Sequence, residues 1–306
     1  MSLSRRQFLR AASAAAVGGS ALAYAEPKAQ APMPKRPFGK TGWNASIYAL
    51  GSAEIPATPE AVRAIHRLID GGVNYLDTAP SYQGTRSESA LGEVLKTRRP
   101  SVFVATKTLE RSADGALREV AASKGRLGID RIDLIQIHAV NDDATLDQVL
   151  AKGGALEGLR RAQRDGLVAH VGITGHTRPE VILRAIETGE FESILVPVSP
   201  MDHHVSDFAT EVLPRANALG IGVTGMKALK GIERASGGKF EADAYLRYAW
   251  TLPVSTLTIG LRRESEVEPN LALARAFKPM PKAEREALEA KSKEWADVGV
   301  LWWKKR

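Results

Sequence analysis

The chain of 306 residues contains no cysteine. That absence excludes disulfides, a catalytic thiolate, iron–sulfur ligation through Cys and lipoprotein anchoring through Cys. Aromatic residues make up only 6%. They meet a basic run at one place, Trp302-Trp303-Lys304-Lys305-Arg306, so a nucleic-acid surface is not expected. A solvated, frayed end is the simplest reading of that tail. Packing of its tryptophans at a pocket rim is the alternative. No apolar run is long enough for a stable membrane span. Metal-ligand patterns are also scarce. Asp202-His203-His204 offers adjacent histidines whose side chains diverge from one short loop, and no metal is expected there. Ser199 beside them lacks a nucleophile elbow, and Met201 and His203 read instead as pocket-mouth residues. What remains, 44% hydrophobic and 25% charged, is ordinary globular material for one large domain or two smaller ones.

Residues 1–25 carry three of the positive charges and no acid, so their removal takes the net charge from +7 to +4. Ser4-Arg5-Arg6-Gln7-Phe8-Leu9-Arg10 resembles a twin-arginine export signal. It precedes a mild Ala/Gly-rich stretch from Ala11 to Ala23 and a small-x-small site, Ala23-Tyr24-Ala25. Export to the periplasm through the Tat machinery, with cleavage after Ala25, is the expectation. Residues 26–37 read as a Pro/Ala/Lys linker, and 38–46 as a hairpin closing one end of a single domain, 38–306.

From there the chain alternates. Strands are expected at Ile47–Gly51, Val73–Asp77, Val102–Lys107, Ile132–His138, Val168–Thr174, Ser193–Val198, Gly222–Met226 and Ser255–Gly260. Helical stretches separate them, at about 58–70, 86–97, 111–127, 145–165, 178–188, 205–219, 240–250 and 263–276. Eight strand–helix units with short apolar strands predict an α/β fold, a closed (β/α)8 TIM barrel. An open doubly wound sheet is the runner-up, but Leu50-Gly51-Ser52-Ala53-Glu54 supplies no dinucleotide fingerprint. Residues 280–298 add a charged C-terminal helix outside the repeat.

Three successive strands end on ionisable residues: Asp77, Lys107 and His138. The turn after Asp77 delivers Tyr82. In a parallel barrel these ends share the face that carries chemistry. A phenol is a poor acid at neutral pH, and a neighbouring ammonium lowers its pKa. A carboxylate holds that ammonium, and an imidazole can orient a substrate oxygen. This set can protonate an alkoxide as a hydride arrives at its carbon.

Asp77-Thr78-Ala79-Pro80-Ser81-Tyr82, Ser87-Glu88-Ser89-Ala90-Leu91-Gly92, Val104-Ala105-Thr106-Lys107 and Asp133-Leu134-Ile135-Gln136-Ile137-His138 resemble, in order, the motifs of the aldo-keto reductase family. Phe38-Gly39-Lys40-Thr41-Gly42 resembles the family's opening hairpin. The resemblance runs from about residue 36 to 276 and implies an NADP(H)-dependent reductase of small carbonyl compounds. Tyr82 is then the proton donor, Lys107 and Asp77 tune it, and His138 orients the carbonyl. It further implies cofactor contacts from Gly51, Ser52, Thr174, Gly175, His176, Met226, Lys227, Leu229, Gly231, Gly260, Arg262, Glu266 and Asn270. The family's usual amide-holding Asn and Gln correspond here to Gly175 and Leu195, and its stacking tyrosine to Met226. Two other readings stay open: a nucleotide-holding sensor with little turnover, and a lysine Schiff-base lyase using Lys107 or Lys227. Substrate and oligomeric state are not readable from the pattern.

Overall fold

The computed structural model describes residues 31–297 and 299–304. The export signal and residues 26–30 of the linker lie outside the described residues. Ten strands are described. β1 (Lys35–Pro37) and β2 (Asn44–Ser46) form an antiparallel hairpin. Lys35–Pro37 falls inside the stretch read as linker, because its backbone pairs with Asn44–Ser46.

The other eight strands are β3 (Tyr48–Gly51), β4 (Tyr75–Asp77), β5 (Phe103–Thr108), β6 (Ile132–Ile137), β7 (Val168–Thr174), β8 (Ser193–Pro197), β9 (Gly222–Met226) and β10 (Thr256–Gly260). They pair in parallel in sequence order, and β10 returns to β3 to close the barrel. The expected (β/α)8 barrel is therefore the observed fold, with eight strands near their expected places. Two expected helices are broken. The stretch 145–165 divides into Asp143–Leu150 and Ala155–Arg164, with Gly154 capping the second. A Cβ on Gly154 would meet three backbone carbonyl oxygens within 2.7 Å, so the chain turns there rather than running on. The stretch 205–219 divides into Asp202–Val205 and Val212–Ala218.

Local chemistry accounts for the outer layer. The helix Pro59–Asp70 starts where the Thr58 side chain accepts from Ala61 N–H, with Pro59 in its first turn. Its Ala61, Ala64, Ile65, Leu68 and Ile69 recur at i, i+3, i+4, i+7 and i+8 and are all buried. The helix Ala113–Leu127 begins on Ser112 and ends on Gly128 in the left-handed conformation.

The hairpin plugs the barrel's N-terminal end. Phe38 meets Tyr75 edge-on at 5.2 Å and Phe103 at 5.6 Å, and Tyr75 stacks on Phe103. Gly39 (φ +54°) makes this approach possible, since a Cβ there would lie 2.3 Å from the Gly222 nitrogen. With that end filled by rings, the polar interior residues gather at the opposite end.

The charged C-terminal helix is Lys282–Ser292. Beyond it Leu301 and Trp303 are buried in a cluster with Met201, Ile232 and Tyr245, while Trp302 stays exposed. The tail therefore packs over the barrel and does not fray through residue 304. Lys304 ion-pairs with Asp202 at 2.7 Å, both side chains buried.

Candidate active site

The pleat of β6 sends Leu134, Gln136 and His138 one way and Ile135 and Ile137 the other. Gln136 pairs in register with Lys107 of β5, and Ala105 of β5 with Asp77 of β4. Asp77, Lys107 and Gln136 thereby meet inside the barrel. Lys107 Nζ donates to Asp77 Oδ1 at 2.5 Å and to Thr78 O at 2.8 Å, and Gln136 Nε2 donates to Asp77 Oδ2 at 3.1 Å. Both Asp77 oxygens are thus engaged. The ammonium also lies 4.7 Å from the Tyr82 ring centroid. Tyr82 in turn meets the His138 ring edge-on at 6.2 Å.

Burial alone would lower the Lys107 pKa. The Asp77 carboxylate, with Tyr82 beside it, more than reverses this, so the ammonium stays protonated above the ordinary lysine value. Tyr82 departs from expectation. Its pKa is raised, because burial of the phenolate outweighs the opposing charge of Lys107, and Asp77 adds to the rise. Its ring keeps partial access to solvent, yet the protein around it is dense enough for desolvation to win. The phenol is therefore firmly protonated at neutral pH. Burial, then the charges of Lys107, Lys227 and Arg111 with His176 alongside, push His138 down to about 2. Its imidazole is neutral.

The serine and glutamate of the motif after Tyr82 are structural. Ser87 Oγ bonds Ser52 Oγ at 2.6 Å and Thr78 Oγ1 at 2.9 Å, and buried Glu88 takes Thr106 and Arg126. Ser52, expected at the nucleotide, is fully buried and donates to Asp77 O at 2.8 Å. Its hydroxyl holds the end of β4. Thr174 is likewise buried, and its hydroxyl accepts Ala139 N–H at 2.8 Å. This fixes the turn after His138, where Ala139 has φ +57°. Gly175 has no room for an amide side chain: a Cβ would lie 2.6 Å from Ile182 and 3.0 Å from the Val140 carbonyl. His176 hangs beside it, its ring 6.2 Å from that of His138 and its pKa pushed to about 3 by burial and then by Lys227.

Met226 is buried at the end of β9. Lys227 follows in a left-handed conformation (φ +62°) with its ammonium 5.4 Å from the Trp303 ring. Burial, then Lys230 and Lys107, lower its pKa to about 8. Gly231 (φ +84°) lies under the tail, where a Cβ would meet Val300 at 2.9 Å, and Leu229 packs against the same cluster. Gly51 and Gly260 pair across the barrel seam. Arg262 donates to Glu54 at 2.7 Å, its backbone N–H reaches Glu266 at 2.8 Å, and Lys230 also reaches Glu54 at 2.6 Å. Asn270 stands beside the buried Tyr48 phenol.

Asp202 and its neighbours are engaged elsewhere: His203 with Asp207 and His204 with Glu289 O. Met201, read as a pocket-mouth residue, is instead fully buried in the cluster with Leu301 and Trp303, and the His203 side chain is exposed. Gln136 was missed in the sequence reading. A polar residue two positions before His138 in an otherwise apolar strand was its signal.

The aldo/keto reductase family profile matches residues 48–244, more than half of the chain. This chain belongs to the aldo/keto reductase family. It is an oxidoreductase, and aldo-keto reductases use nicotinamide cofactors. YqkF, an uncharacterized oxidoreductase of Bacillus subtilis, is 26% identical over 257 residues, 79% of this chain and 80% of its own. L-galactose dehydrogenase of Arabidopsis thaliana is 26% identical over 282 residues, 78% of this chain and 86% of its own. The solved aldo-keto reductase AKR11C1 from Bacillus halodurans shares the fold with a TM-score of 0.72 at 22% identity, over 87% of this chain and 97% of that one.

The residues present fit an anionic nucleotide at its phosphate end. Lys230 and Arg262 follow the seventh and eighth barrel strands, where barrels hold phosphates, and Arg262 is 61% exposed. The amide end lacks the usual side chains, and His176 is the polar group left beside it.

Proposed function

We propose that this aldo-keto reductase reduces aldehydes or ketones to alcohols with NADPH. The arrangement that carries the reading is Asp77–Lys107–Tyr82 beside a neutral His138, at the ends of adjacent strands. The cofactor, when bound, supplies the hydride. The Tyr82 hydroxyl donates its proton to the substrate oxygen, and the neutral His138 ring hydrogen-bonds the same oxygen. Lys107, held by Asp77 and Gln136 through the carboxylate, stabilises the phenolate left behind. Met226 would face the nicotinamide, and Lys230 and Arg262 would take phosphates. Arg262 is suited to a 2′-phosphate and so supports NADP over NAD, although Glu54 now holds it.

Nucleotide titrations with NADPH and NADH, followed by turnover with a panel of carbonyls, test this. Carbonyl-dependent NADPH consumption is expected. Bound nucleotide that neither exchanges nor reduces any carbonyl would support the sensor reading. The lowered Lys227 favours the lyase reading, whereas Lys107 is too firmly protonated to attack a carbonyl. Borohydride treatment with substrates that leaves the protein's mass unchanged removes the lyase.

Because His138 is held neutral far below its ordinary value and Tyr82 protonated above its own, reduction of an uncharged carbonyl should be flat between about pH 5 and 7, below the titration of Lys227 near 8. The activity is lost only as pH rises through the raised tyrosine value. An inflection near pH 6.5 would contradict this.

Residues 1–25 support export by the Tat machinery to the periplasm. Fractionation should find the wild-type chain there, starting at Glu26, and a variant with Arg5→Lys and Arg6→Lys retained in the cytoplasm. Wild-type full-length protein confined to the cytoplasm would refute it.

A further inference from the structure

Lys227 lacks a counter-charge among the described residues. Among the described residues it makes no ion pair within 4.0 Å, and its ammonium rests only against the face of Trp303. A π face steadies a cation while leaving its N–H donors free. The acids whose charge reaches it are Asp77 and Asp202. Asp77 is held by Lys107 and Gln136, and Asp202 by Lys304 at 2.7 Å and the Ser199 N–H at 2.6 Å. Lys230, the next cation along the chain, is occupied by Glu54.

Its place in the site separates Lys227 from the exposed cations. Its charge is felt by both His138 and His176, the two neutral imidazoles. Its backbone is kept in a left-handed conformation that lysine adopts only at a cost. A second cation, Arg111, donates to the His138 carbonyl oxygen at 2.6 Å, and among the described residues no carboxylate lies within 4.0 Å of its guanidinium. Around the imidazole that would orient the carbonyl, positive charge is in excess. A largely buried cation without a partner is costly unless a ligand pairs with it.

We infer that Lys227 docks a carboxylate carried by the substrate, so that this site takes aldehydes or ketones bearing an acid group. The inference rests on the reductase reading and names its substrate class. Lys227 stays largely protonated at neutral pH with its pKa near 8, and a bound anion would raise it. One relative, L-galactose dehydrogenase, is named for an uncharged sugar, so the test compares charged and uncharged substrates directly.

Wild-type, Lys227→Met and Lys227→Arg proteins would be assayed with 4-carboxybenzaldehyde and its methyl ester. The kcat/KM ratio of acid to ester is expected to fall roughly 10–100-fold in Lys227→Met, the range of a charge-assisted hydrogen bond. Lys227→Arg should keep most of that ratio. Calorimetric binding of 4-(hydroxymethyl)benzoate to protein saturated with NADP⁺ needs no turnover. It should weaken by a similar factor in Lys227→Met, and NADP⁺ affinity is measured alongside. An unchanged acid-to-ester ratio with weakened NADP⁺ binding would assign Lys227 to phosphate and overturn the inference. Equal binding of the acid by wild type and Lys227→Met overturns it too. If no carbonyl is reduced, the reductase reading fails, and the binding arm still decides whether Lys227 holds a carboxylate.

Discussion

Tyr82→Phe is expected to lower kcat for carbonyl reduction by about 10²–10⁴-fold, the range that a positioned general acid contributes. The substitution removes only the hydroxyl. The ring that faces the Lys107 ammonium at 4.7 Å and the His138 edge at 6.2 Å remains. Folding and nucleotide binding should therefore survive, and nucleotide titration by fluorescence should give a dissociation constant within a few-fold of wild type. The proton has no other ready source. His138 is neutral and has no second proton to release, and Lys107 is bound to Asp77 and Thr78 O. A loss below tenfold would show that another group, or water, protonates the oxygen.

Lys107→Met should be the most destabilising single change in the site. It leaves the Asp77 carboxylate buried with Gln136 as its remaining side-chain donor. Breaking a buried pair by removing one partner costs about 3–5 kcal/mol, whereas replacing both partners by apolar groups is often near neutral. The double change Asp77→Leu with Lys107→Met should therefore recover much of the lost stability while staying inactive. The loss should also depend on pH in a defined sense. Burial already pushes the Asp77 pKa up against the pull of Lys107, and without the ammonium it rises further. A carboxyl whose folded value exceeds its unfolded value favours the fold below the unfolded value, about 4. That contribution disappears as pH rises through the folded value. Urea titrations of the variant at several pH values should show its deficit growing from acid toward neutral pH. A deficit that is flat with pH would mean Asp77 is not left as a lone buried charge.

The barrel was legible because its strands are short apolar runs at regular spacing, and three successive ones close on an ionisable residue. Asp77, Lys107 and His138 announce themselves at those ends. The expected β4 was Val73–Asp77, but Asn74 bonds the hairpin through Ser46 and Asn44 and the ladder begins at Tyr75. Hydroxyls were harder to place. Ser52 and Thr174 sit at strand ends like the site residues, yet both are buried with backbone partners. Only tertiary structure decides whether such a group faces a ligand or a carbonyl. Gln136 was hidden because attention fell on ionisable strand ends, while its importance comes from lying one pleat below His138 and beside Lys107. The sign of the Tyr82 shift was missed for a related reason. Sequence names the ammonium that lowers a phenol's pKa but not the depth of burial that raises it. The tail was also out of reach, since Trp302 and Trp303 are alike in sequence and one is exposed while the other covers Lys227.

The central claim is that these residues protonate a carbonyl oxygen as its carbon is reduced by the bound nicotinamide. One single-turnover reaction tests it: wild-type protein, NADPH deuterated at the transferring position, and an aldehyde. The alcohol product is predicted to carry one deuterium on its carbinol carbon and a solvent-derived proton on its oxygen. An unlabelled alcohol, or NADPH left unoxidised beside an aldehyde that binds, would contradict the account.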